Sequence, residues 1–230
     1  TDGSNCDPIW PADRLSAMVA AADKAGLQAA IHAIGDATID AAIDAIENAA
    51  TVNGTSGRRH RIEHLEYARA DQIARIGRLG ITASMQPVHV DPAYLANWLE
   101  KLGPERGDNG FAWPLYLTAG APLAFGTDTP TAPYEALPNM YIAATRKSPS
   151  DASVAPHRPD WALPMAVAIR HGTRESAWSA HLETVTGTLT PGLAADLVIL
   201  DRDFFADGPA ALLETDVRLT MMDGRIVYAA

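Results

Sequence analysis

The chain has one cysteine, Cys6, in 230 residues. One thiol excludes an intramolecular disulfide and the cysteine clusters of zinc fingers. Basic residues are few: 18 Lys and Arg stand against 28 Asp and Glu, a formal net charge of -10. That balance argues against nucleic acid or an anionic membrane as a main partner, because both require basic surface. No apolar run approaches the ~20 residues of a membrane span, so no membrane partner is expected. The chain begins at Thr1 with no signal-like stretch, and a reducing, cytoplasmic location is the expectation. No glycine-rich phosphate loop follows any strand-like segment, which leaves dinucleotide and P-loop readings without support. What is present is ordinary for a globular chain: 47% apolar and 20% charged residues.

The first part alternates two periodicities. Leu15, Met18, Val19 and Ala22 recur at helical spacing from Pro11 until Gly26. A short apolar strand, 29–34, closes on Gly35-Asp36, where Asp36 reads as the cap of the next helix. That helix puts Ile39, Ala42, Ile43 and Ile46 on one face, with Asp40, Asp44 and Glu47 off it. A strand at 60–66, a helix through Ile73, Ile76 and Leu79, a strand at 81–86, a short helix at 114–119 and a strand at 123–128 follow. Strands alternating with helices imply an α/β fold with a parallel sheet. Strands apolar throughout imply that both faces are covered. Two helical stretches, 164–170 and 174–180, precede a change to β pattern. The runs 195–201, 217–222 and 225–228 include Asp223-Gly224, a hairpin signal. The loops 91–113 and 130–160 are long enough to carry function or short helices.

Three metal-type residues fall at strand ends: His32, His64 and Asp128. Strand C-termini converge on one mouth in a β/α barrel, and two imidazoles with a carboxylate suit a divalent metal there. Each residue also has a plain reading, a hydrogen-bonded core histidine or a helix-capping aspartate. Their joint placement in one alternating series is what favours a site. Gln86 and His89, after the strand at 81–86, and Trp113, in the long loop with Arg106, are candidates for contacting substrate. Glu63, one residue before His64, is expected to face the helix layer and pair with Arg61 or Arg59. His60, His157, His171 and His181 lack a strand-end context.

The segments His-Ala-Ile-Gly-Asp (32–36), Arg-His-Arg-Ile-Glu-His (59–64), Ala-Ser-Met-Gln-Pro (83–87), Ala-Phe-Gly-Thr-Asp (124–128) and Thr-Pro-Gly-Leu-Ala-Ala-Asp-Leu-Val-Ile-Leu-Asp (190–201) together resemble the amidohydrolase superfamily. The resemblance is to its YtcJ-like branch, amidohydrolase family 3, which includes N-substituted formamide deformylases. It implies a (β/α)8 TIM-type barrel beside a small β-sandwich. It also implies divalent metal, zinc being expected, one or two ions in the intact enzyme. His32, His64 and Asp128 match the ligands of strands 5, 6 and 8, and Asp128 matches the general base. The expected activity is hydrolysis of carbon–nitrogen bonds other than peptide bonds, in small amides or formamides, by metal-activated water.

The departure from the pattern is the missing strand-1 His-x-His pair. A full barrel takes about 250 residues, whereas the barrel-like part here spans 1–189 and a β tail 190–230. The chain is therefore expected to be the C-terminal half of the barrel, strands 5–8, plus the C-terminal strands of the sandwich. Such a half exposes sheet edges, so self-association or a need for the missing N-terminal half is expected. The rival expectations are a non-catalytic half-barrel and an α/β binding module without metal.

Overall fold

The computed structural model describes residues 8–230, so Cys6 lies outside the described residues. The chain divides into two compact units, one of residues up to 85 with 96–123, the other of 86–95 with 124–230.

In the first unit, helix α1 (Ala12–Lys24) packs on α2 (Asp36–Asn53), with strand β1 (Ala30–Ala33) between them in sequence. Strand β2 (Arg61–His64), helix α3 (Ala70–Leu79) and strand β3 (Thr82–Met85) continue the alternation. The three strands are parallel and in the order β1-β2-β3. The register aligns Ile31, Ile62 and Ala83 in one buried row. Helix α2 turns Ile39, Ala42, Ile43 and Ile46 inward, as its 3.6-residue period requires. Gly80 ends α3 in the left-handed conformation, at φ 64°. The long loop 91–113 carries helices α4 (Ala96–Leu102) and α5 (Pro104–Gly107), and α6 (Trp113–Thr118) follows. Strand β4 (Leu123–Phe125) begins in this unit, and along it the chain passes to the other.

Two expectations are corrected here. Strand β1 is not covered on both faces: Ile31 and Ala33 are buried, but Ala30 and His32 are exposed. Asp36 is not the cap of α2. Gly35 takes that position and its carbonyl accepts from the Ile39 N–H, while Asp36 is the first helical residue. There its charge still complements the helix dipole.

A buried ionic cluster ties α1 to the approach of β2. The Asp23 carboxylate, fully buried, accepts from Thr55 Oγ1 (2.6 Å), Asn53 Nδ2 (2.8 Å) and Arg58 Nε (3.2 Å), and lies 3.1 Å from His60 Nε2. His60 Nδ1 accepts from the Ala29 N–H, which leaves Nε2 to carry the ring proton toward Asp23. Burial alone would raise the Asp23 carboxyl. The bonds from Thr55, Asn53 and His60 outweigh burial and hold it below the usual carboxylate range. His60 thus serves structure.

In the second unit, helix α7 (Ala136–Thr145) is followed by α8 (Met165–Gly172) and α9 (Arg174–Ser179). Then β5 (Leu197–Leu200), β6 (Val217–Met222) and β7 (Arg225–Ala229) form an antiparallel sheet in that order. The expected Asp223-Gly224 turn joins β6 and β7, with positive φ at both residues. Val198, Ile199, Ile226 and Tyr228 on this sheet are each at least half exposed. Among the described residues, no helix is long and apolar enough to cross a membrane.

Candidate functional site

Within the first unit, β1 and β2 carry His32 and His64 to the same end of the sheet. Their ring centroids are 4.4 Å apart with planes at 66°. The register pairs His32 with Glu63 and Ala33 with His64. His64 therefore leaves the pleated alternation to meet His32, and its backbone shows how: φ is 77°, followed by 54° at Leu65. Consecutive left-handed residues without glycine are costly and persist only where the surroundings hold them. Here the Leu65 N–H donates to the Ala33 carbonyl (3.0 Å) and the Tyr67 N–H to Ile34 (3.3 Å), while the Tyr116 hydroxyl donates to the Leu65 carbonyl (3.3 Å).

Glu66 lies beside His64. It is buried, and its carboxylate lies within 4.8 Å of a His64 ring nitrogen. The Phe111 N–H donates to the Glu66 carbonyl at 2.7 Å, fixing the turn. Glu66 was not a candidate in the sequence, where it closes the expected strand 60–66 and reads as a surface carboxylate; β2 in fact ends at His64. The signal available was its two-residue spacing from His64. An imidazole beside a buried carboxylate offers donors of the kind that a divalent first-row metal accepts.

Glu63 reverses its expected direction. The parallel register aligns it with His32 and Ser84, on the face away from the buried Ile31, Ile62 and Ala83 row. Its expected pairing does hold: Arg61 Nε donates to Glu63 Oε1 at 2.6 Å.

Within the second unit, His89 Nε2 lies 3.6 Å from Asp128 Oδ2, too long for a direct hydrogen bond but short enough for the two to act on one small group. Asp128 is partly exposed and has φ 64°. The N–H groups of Thr131 and Ala132 donate to its carbonyl (2.8 and 3.3 Å). Asn139 on α7 explains the approach of His89. Its Oδ1 accepts from the Val88 N–H (2.7 Å) and its Nδ2 donates to the Gly126 carbonyl (3.0 Å). One buried amide thus anchors the backbone beside both residues. Asn139 is invisible in sequence because an asparagine inside a helix carries no pattern. Gln86 is buried in this unit.

Trp113, in the first unit, has no exposed surface at all. His157 lies in a loop of the second unit, where its carbonyl accepts from Arg146 Nε at 2.8 Å. His171 packs its ring edge-on to Phe125, centroids 5.6 Å apart.

Residues 7–228 match the model of the amidohydrolase family. The chain is 30% identical over 217 residues to the putative amidohydrolase YtcJ of Bacillus subtilis (strain 168), covering 94% of this chain and 40% of that protein. It is 29% identical over 212 residues to an N-substituted formamide deformylase of Arthrobacter pascens, covering 90% of this chain and 38% of that one. Among solved structures, an uncharacterized metal-dependent hydrolase from Pyrococcus horikoshii OT3 superposes with a TM-score of 0.73 at 26% identity, over 98% of this chain and 41% of that one. The chain thus spans about two-fifths of the length of these relatives.

Proposed function

We propose that this chain, which belongs to the amidohydrolase family, carries part of the metal centre of a hydrolase acting on carbon–nitrogen bonds of small amides or N-substituted formamides. The observation that carries the reading is the meeting of His32 and His64 at the ends of adjacent parallel strands. The family resemblance adds Asp128 as a third ligand and as the group that accepts a proton from the hydrolytic water. Zinc is the proposed metal. When bound, such an ion lowers the pKa of a coordinated water and polarises a carbonyl. His89 and Gln86 are proposed to contact the substrate, and the A. pascens relative supports the formamide class.

The reading extends to architecture. We place 1–189 as the C-terminal half of a (β/α)8 barrel and 190–230 as part of a β-sandwich. The exposed face of β1 and the exposed apolar residues of the β5-β6-β7 sheet support a chain that completes itself, by self-association or against an N-terminal half.

The test is metal content per chain after dialysis against metal-free buffer, with hydrolysis of an N-substituted formamide panel followed by amine release. Zinc retained by the parent and lost from His64→Ala supports the reading. Zinc absent from both, or held equally by both, overturns it for this polypeptide.

A further inference from the structure

The strained turn after β2 does more than swing His64 toward β1. Along a continuing strand, side chains two residues apart stand about 6.6 Å from one another on the same face. The left-handed backbone at His64 and Leu65 folds that spacing up. A Glu66 carboxylate oxygen comes within 4.8 Å of a His64 ring nitrogen, and both side chains are buried in the first unit.

The backbone on either side of Glu66 is held. The Leu65 N–H donates to the Ala33 carbonyl (3.0 Å) and the Tyr116 hydroxyl to the Leu65 carbonyl (3.3 Å), which fixes the residue before it. The Tyr67 N–H donates to the Ile34 carbonyl (3.3 Å), which fixes the residue after it. The Glu66 carbonyl accepts from the Phe111 N–H (2.7 Å), and a Cβ at Gly110 would stand 3.1 Å from that oxygen. Non-glycine residues held in the left-handed conformation are costly, and they gather at ligand clamps and active sites.

A carboxylate taken out of water is stabilised by pairing or by a metal. The spacing to His64 suits a metal. Zinc takes imidazole nitrogen and carboxylate oxygen at about 2.0–2.2 Å, so two such ligands on one ion stand about 3.4 Å apart. Rotation about the Glu66 side-chain bonds, moving its oxygen on the order of 1 Å, reaches that separation.

We propose that Glu66 is a further metal ligand, binding through its carboxylate the same divalent ion as His64. The proposal rests on the reading of His64 as a ligand, and it adds a residue to the set of His32, His64 and Asp128.

The test is the zinc affinity of the full chain, by competition with a chromophoric chelator, together with its cobalt(II) absorption spectrum. Glu66→Gln keeps the shape of the side chain and removes the charged donor. It is expected to bind zinc at least about tenfold more weakly than the parent. Glu66→Cys puts a thiolate in the same place, and with cobalt(II) it is expected to show a near-ultraviolet thiolate-to-metal charge-transfer band. The parent, whose one thiol is Cys6, is expected to lack that band. A carboxylate buried for packing alone would move neither readout. Glu66→Gln holding zinc as tightly as the parent, or Glu66→Cys taking up cobalt(II) without the band, overturns the proposal. Zinc lost from His64→Ala but kept by Glu66→Gln would remove only Glu66 and leave the hydrolase reading standing. Zinc kept by His64→Ala, or not taken up by the parent, overturns both.

Discussion

The imidazole of His32 stands edge-on to that of His64, 4.4 Å between centroids, although the sheet register sets His32 beside Glu63. Regular pleating would separate the two rings to opposite faces. The left-handed backbone at His64 and Leu65 brings them together, and the bonds from Leu65 and Tyr67 to the end of β1 hold it there. Conformations this uncommon gather at functional sites.

If the pair binds metal, zinc must stabilise the fold through it. At a hundred times the dissociation constant, zinc is expected to add about 2.7 kcal/mol. Urea unfolding with and without zinc should show this for the parent and for neither His32→Ala nor His64→Ala. A stabilisation that survives both substitutions refutes the assignment.

Asn139 carries two bonds that hold His89 and Asp128 in place. Asn139→Ala leaves the Val88 N–H and the Gly126 carbonyl without it. A loss of about 2–3 kcal/mol is expected by urea denaturation. A change under half a kcal/mol would mean that water replaces the amide at little cost.

The Asp23 cluster sets an acid limit. Its carboxyl is held below 3.8 in the folded chain. A depressed folded pKa adds stability that is complete above the unfolded value and lost as pH falls through the folded one. Asp23→Asn is therefore expected to be less stable than the parent at pH 7, with the gap closing below pH 3.8. Unfolding curves at both ends of that range check it; a gap that stays constant refutes the linkage.

Gly77 sits in the interior of α3, where alanine is ordinarily better by about 1 kcal/mol. A Cβ there would stand 2.1 Å from the Ala119 carbonyl oxygen. Gly77→Ala is expected to destabilise by about 1–3 kcal/mol as the backbone is forced apart. A stabilised variant would show that the contact relaxes freely.

An open parallel edge and a half-exposed antiparallel sheet predict association. Light scattering after size exclusion is expected to show a dimer or larger species that dilution weakens. A monomer at every concentration would count against the half-barrel reading.

Pattern was sufficient for the series of helices and strands, because burial of one face imposes a period of 3.6 on α2 and short apolar runs between turn residues mark the strands; the one-sided burial of β1 was not legible. The Asp223-Gly224 turn and the stop at Gly80 were legible for a similar reason: few residues accept positive φ. His32, His64 and Asp128 could be picked out because metal-type side chains interrupt apolar strands at their ends. The two long loops do carry helices, as their length allowed, but the bounds of α4, α5 and α7 were not legible because tertiary contacts set them more than pattern does. Glu66 and Asn139 escaped, since a carboxylate closing an expected strand and an amide within a helix look like surface residues until burial is known. By itself, then, the amino-acid order determined the alternating α/β series and the candidate ligand types. Only the tertiary structure decided the face of Glu63, the capping of α2 and the meeting of His32 with His64. Those depend on strand register and on two left-handed residues, and both are fixed by hydrogen bonds between distant segments.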